Sequence, residues 1–64
     1  MCMANAYLIR HGKPELIMEN VETVQAIDTN AWGLSGLFGE EKRIVARMKC
    51  LLLLENQLFF EVLP

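Results

Sequence analysis

Sulfur and imidazole donors are scarce in this 64-residue chain: two cysteines, Cys2 and Cys50, and one histidine, His11. Only Cys2 sits where position alone makes chemistry. The chain opens Met1-Cys2-Met3-Ala4, so the Met1 amine, the Cys2 amide nitrogen and the Cys2 thiolate can close two fused five-membered rings on one metal without a folded scaffold. A deprotonated amide is a strong-field donor, and an N/S set of this kind suits square-planar Ni(II) or Cu(II) better than tetrahedral Zn(II). The ligand is the thiolate, and an unperturbed thiol titrates near about 8.5, so binding releases protons and weakens as pH falls.

Each candidate has a plainer reading. A free cysteine is often a small buried hydrophobe, which for Cys2 would mean packing at the start of a first strand. Cys50 lies among Met48, Lys49 and Leu51 without a neighbouring Cys or His at zinc-site spacing, and is expected to pack in the core or an interface. His11, between Arg10 and Gly12, reads as a solvated turn residue that reaches a metal only if its turn folds back beside the amino terminus. Met3, Met18 and Met48 show no repeated spacing and read as packing. No Ser-His-Asp, Cys-His or paired-carboxylate set can be assembled from one histidine and scattered acids, so no enzymatic activity is expected.

The elements that must position such a site come from one small domain. A chain this short buries only about 60% of the surface its unfolded form exposes. With 53% hydrophobic residues against eight acidic and six basic ones, part of the apolar surface is expected in a subunit interface, most simply a symmetric homodimer. Two cysteines and no signal-peptide pattern point to a reducing cytoplasm. The longest apolar run, Leu51-Leu52-Leu53-Leu54, falls far short of the ~20 residues of a membrane span. A formal net charge of −2 gives no general attraction to phosphate backbones, so nucleic acid is not the default partner.

Along the chain, apolar stretches between turn signals predict strands. Ala4 to Ile9 is a first strand, stopped by Arg10-His11-Gly12-Lys13-Pro14. Glu15 to Met18 and the β-branched Val21 to Ile27 follow, then a turn at Asp28-Thr29-Asn30. From Ala31 to Phe38, Trp32, Leu34 and Phe38 share one face, and Gly36 marks a bulge or close backbone approach. Residues 43–54 fit two patterns. As a strand, Ile44, Ala46 and Met48 point one way and Arg43, Val45, Arg47 and Lys49 the other; as a helix, Ile44, Val45, Met48, Leu51 and Leu52 form a stripe with Glu40 and Glu41 at its amino end. Leu54-Glu55-Asn56-Gln57 then reads as a tight turn before a last strand through Leu58, Phe59, Phe60 and Val62.

Met1-Cys2-Met3-Ala4 with Tyr7-Leu8, Glu19-Asn20-Val21, Leu37-Phe38-Gly39-Glu40-Glu41 and the closing apolar hairpin, taken in this order, resemble the CooT-like small nickel-binding proteins. The resemblance spans nearly the whole chain and implies a single CooT-like domain over residues 1–64. It further implies an all-β fold, a small, mostly antiparallel β-barrel that forms a homodimer, and strands over residues 43–54. It implies Ni(II) bound through the amino-terminal cysteine in service of carbon monoxide dehydrogenase maturation, so that the partner is a nickel enzyme under assembly and the protein a metallochaperone or nickel reservoir. Carried over residue by residue, the metal-binding cysteine falls on Cys2, and the Met1 and Cys2 backbone nitrogens come with it. Two such chain starts at a dimer axis would make one N2S2 square plane. HypC-like proteins also open Met-Cys but place a proline near position 6, where this chain has Ala6. The competing class is a small RNA-binding or protein-interaction module in which Cys2 is incidental.

Overall fold

The computed structural model describes residues 3–64. They form six strands in one sheet: β1 (Ala4–Arg10), β2 (Lys13–Asp28), β3 (Ala31–Gly36), β4 (Glu41–Val45), β5 (Arg47–Leu52) and β6 (Gln57–Glu61). The spatial order is β4-β3-β2-β1-β6-β5. All neighbours run antiparallel except β1 and β6, which pair in parallel from Asn5–Gln57 to Ile9–Glu61. Among the described residues no helix is long and apolar enough to cross a membrane.

Local chemistry explains the strand boundaries. Arg10 pairs with Lys13 across a two-residue turn in which His11 and Gly12 both have positive φ, 50° and 76°, the twist-matched geometry of tight hairpins. Pro14 does not extend the break, because β2 has β1 on one side there and no strand on the other, a setting that tolerates a missing N–H. The expected strands 15–18 and 21–27 are therefore one strand. It bends through register shifts and through Asn20, whose φ is 55°. Its first part pairs with β1 and its second with β3. The bulge expected at Gly36 lies across the ladder, where Val21 pairs with Gly36 and Thr23 with Ser35, leaving Glu22 extra. Gly36 is a close approach, since a Cβ there would collide with Glu40 Oε1.

The alternation over 43–49 is that of a strand pair, not a helix. Ile44 and Met48 pack against the core and Ala46 is fully buried, while Arg43, Val45, Arg47 and Lys49 face solvent. Ala46 alone separates β4 from β5, the two opposite edges of the sheet, so the sheet must curl until its edges meet at that residue. It is all-β but not a closed barrel. Ala46 N donates to Asn30 O at 2.9 Å and Ala46 O accepts from Trp32 Nε1 at 3.0 Å, so its polar groups serve the far turn and the core rather than a closing ladder. The parallel β1–β6 pair is the one exception to antiparallel pairing, in keeping with a mostly antiparallel sheet.

The curl wraps Ala6, Leu8, Met18, Val21, Leu34, Ala46, Leu58 and Phe60 into the core. Phe60 and Leu34 are the largest side chains fully enclosed, and Trp32 leans on Phe60 with ring centroids 5.7 Å apart. One side chain expected inside is outside, and of the core or interface expected for Cys50 the core is ruled out. Phe38 is 79% exposed because β3 ends at Gly36 and the loop that follows abandons the alternation. Cys50 is exposed because the register shifts between Met48 and Cys50: Met48 pairs with the inward Phe60, but Cys50 pairs with Phe59 on the outer face.

On the outer face Arg47 grips Glu61, with Nε at 3.2 Å and a terminal guanidinium nitrogen at 2.8 Å from Oε1, and Lys49 adds charge at 3.7 Å. The Arg47 hydrogen bond, then the Lys49 charge, holds the Glu61 carboxyl below its usual 4.5. A lowered carboxyl pKa stabilises the fold above the unfolded value and loses that contribution as pH falls through the folded one, here the acid limb below about 4.5.

Replacing Arg47 by Gln is expected to raise the Glu61 pKa toward its ordinary value in an NMR carboxyl titration. Phe60→Ala is expected to destabilise the fold by about 3–5 kcal/mol, read as a lower urea midpoint by circular dichroism.

Candidate metal centre

Met1 and Cys2, the residues singled out for metal binding, lie outside the described residues. What can be built is the strand that carries them. β1 enters the sheet between β2 and β6, with Ala4 opposite Val21 and Asn5 opposite Gln57. Its start is fastened by a polar chain that runs from the β5–β6 turn through β1 and the bend of β2 to the β3–β4 loop. Asn5 N donates to Asn56 O (2.9 Å) in the β5–β6 turn, Asn20 N donates to Asn5 Oδ1 (3.3 Å), and Leu37 N donates to Asn20 O (3.1 Å). Asn56 N closes its own turn on Leu53 O at 3.3 Å.

Asparagine suits this arrangement. Asn20 and Asn56 both occupy the left-handed region, at φ 55° and 54°, which asparagine tolerates better than other residues with a Cβ. In that conformation their backbone groups turn toward β1 and the β3–β4 loop. The sequence marked Asn56 as a turn residue, but nothing local marked Asn5 and Asn20 as partners: residues 15 apart meet only once β1 and β2 pair.

The end of the molecule where β1 begins is apolar at two points and acidic around them. Leu53 and Leu54 cap the β5–β6 turn at 74% and 100% exposure, and Leu37 and Phe38 stand on the β3–β4 loop. Phe38 shares a shallow cleft with Glu19, Glu40, Glu41 and Lys42, and Glu55 follows Leu54. The single lysine is committed, Lys42 Nζ donating to Ile17 O at 3.1 Å.

The other donors are elsewhere. His11 occupies the turn at the opposite end of β1, roughly 25 Å along the strand from Met3 at about 3.3 Å per residue, so within one chain it does not fold back toward the amino terminus. Cys50 lies two strands from β1, across Phe59. Among the described residues no group of three His, Cys, Asp or Glu side chains is placed to hold a metal ion.

Comparison with known proteins adds a family-level likeness. The sequence profile of the family described as "CO dehydrogenase accessory protein CooT" matches residues 1–61. The structure is similar to a crystal structure of a protein from Carboxydothermus hydrogenoformans provisionally assigned as CooT, with TM-score 0.87 and 28% identity over 98% of this chain and 100% of the other. No curated protein is matched.

Removing the carboxamide that fastens β1, as in Asn5→Ala, is expected to cost about 1 kcal/mol, and faster amide hydrogen exchange at Asn20, with the core amides of β6 unchanged, is the readout.

Proposed function

Since the chain belongs to the CooT family of CO dehydrogenase accessory proteins, we propose that it serves carbon monoxide dehydrogenase assembly in the cytoplasm as a nickel carrier or reservoir that binds Ni(II) through Cys2. The family implies an accessory role toward an enzyme client; nickel is the cargo this chain's own donors suit. The observation that carries the reading is the placement of Cys2 just ahead of a strand whose first residues are held from both sides. A donor set built from a chain start needs an anchored base, or each binding event must first order the segment.

The Cys2 thiolate with the Met1 and Cys2 backbone nitrogens makes an N/S set suited to a square-planar ion. In a homodimer whose chain starts approach a two-fold axis, two thiolates and two nitrogens complete one N2S2 plane for two chains. No catalytic step is proposed. The competing reading, an RNA-binding module, draws little support from the charges. Arg47 and Lys49 are engaged with Glu61, Arg10 with Glu15, and the exposed Phe38 stands among acids rather than bases.

Ni(II) titrated into the reduced protein is expected to saturate near one ion per two chains with thiolate-to-metal charge-transfer absorbance, to weaken as pH is lowered from 8 toward 6, and to lose that signal in Cys2→Ser. A Cys2→Ser protein that binds nickel as tightly as the parent would sink the assignment.

A further inference from the structure

Ten large apolar side chains are exposed among the described residues, and they are not spread evenly. Leu16, Ile27, Val45 and Leu63 are scattered over β2, β4 and the C-terminal residues. Ile27 lies against Gly33, its Cδ1 3.4 Å from where a Cβ would stand, and isolated apolar side chains of this kind are ordinary surface. The other six, Leu37, Phe38 and the run Leu51–Leu54, gather at the end where β1 begins. The asparagine hydrogen bonds bring the β5–β6 turn and the β3–β4 loop to either side of Asn5, and Leu52 pairs with Gln57, itself the partner of Asn5. The longest apolar run of the sequence is therefore surface, and nothing in the fold uses it.

Side-chain charge is polarised along the same direction. Five of the eight acidic residues, Glu19, Glu22, Glu40, Glu41 and Glu55, stand at this end. One of the six basic residues joins them, Lys42, whose ammonium is tied to Ile17 O at 3.1 Å. Arg10, Lys13, Arg47 and Lys49 belong to the opposite half, by the β1–β2 hairpin and Glu61.

We propose that this end is the docking surface for the enzyme client, and that the client meets it with an apolar segment rimmed by lysine and arginine. The proposal rests on the accessory reading above but not on nickel. Apolar anchors such as Phe38 and Leu54 supply affinity once desolvated, and the acidic rim selects a partner by sign and steers its approach. The same charge disfavours other occupants. Anionic lipid and phosphate backbones are repelled, and a second copy in a two-fold contact centred here would set each carboxylate patch against itself, so a homodimer axis must pass beside this patch rather than through it. Docking here also brings the client next to the start of β1, the strand that continues from Cys2.

The test is biolayer interferometry of the metal-free, reduced protein against nickel-free carbon monoxide dehydrogenase from the same organism. It compares the parent with Phe38→Ser, Leu54→Ser, a triple variant carrying Glu19→Gln, Glu41→Gln and Glu55→Gln, and Leu16→Ser as control. All these side chains are exposed, and circular dichroism checks the folding of each variant. Phe38→Ser and Leu54→Ser are each expected to weaken docking roughly 30-fold, equivalent to a hot-spot loss of about 2 kcal/mol. The triple variant is expected to lower the association rate about tenfold and to flatten its fall with added salt, and Leu16→Ser to leave both rates unchanged. No docking by the parent, undiminished docking by both serine variants of the patch, equal weakening by Leu16→Ser, or a triple variant that associates as fast as the parent would overturn the proposal. So would binding of phosphatidylcholine–phosphatidylglycerol vesicles by the parent but not by Leu54→Ser, or a sedimentation mass halved by Leu54→Ser, which would give the surface to a membrane or to a second copy. A parent that binds Ni(II) through Cys2 yet does not dock fails the surface alone, and patch-dependent docking without Cys2-dependent nickel binding fails the nickel assignment alone.

Discussion

The structure depends on one short covalent link. Ala46 joins the strands at opposite edges of a six-stranded sheet, and a single residue cannot span the width of a flat sheet. The sheet must roll until its edges touch at that point. Rolling creates the concave side on which Leu8, Leu34, Leu58 and Phe60 meet. Ala46 is fully buried, has only a methyl group to set against the approach of Trp32, and has both backbone polar groups satisfied by partners 14 to 16 residues away. A bulkier residue would push the edges apart.

A core of eight buried residues among those described is modest, and the chain compensates by organising its ends. The asparagine chain Asn56–Asn5–Asn20 ties one turn and two strands to the β3–β4 loop through three backbone hydrogen bonds, one of them accepted by the Asn5 carboxamide. It fixes the direction in which the chain enters the sheet without using apolar area. That separation lets one end of a small domain hold the first strand firmly while exposing leucine and phenylalanine beside it.

Much of the fold was legible in the sequence, for identifiable reasons. The alternation of Ile44, Ala46 and Met48 with Arg43, Val45 and Arg47 settles in favour of strands because the buried set continues the core face, and the Asn56 turn follows from residue chemistry. The side chains hardest to place are those just past an irregularity: Phe38, expected on the core face, lies beyond the end of β3, and Cys50, expected in the core or an interface, lies beyond a bulge that reverses the parity of every later residue in β5. A period-two reading carries no signal for an inserted residue. Likewise the parallel pairing of β1 with β6 is invisible locally, since no turn encodes it. At the candidate site, Cys2 was singled out by its position alone and lies outside the described residues, while the asparagines that fasten β1 carried no signal, because their roles exist only after β2 folds back on β1.

The position of β1 between β2 and β6 also governs how the sheet can assemble. β1 is first in the chain and β6 last, so one side of β1 stays without a partner until some fifty residues have been placed. The hairpins β1–β2 and β2–β3 can form from neighbouring residues, yet the pair that completes the centre of the sheet requires closure of the longest loop available, whose entropic cost must be met before the contact returns anything. Cooperativity is therefore built into the strand order: half a chain offers β1 one neighbour and half a core, and the segment carrying Cys2 gains its second flank only when the last strand arrives.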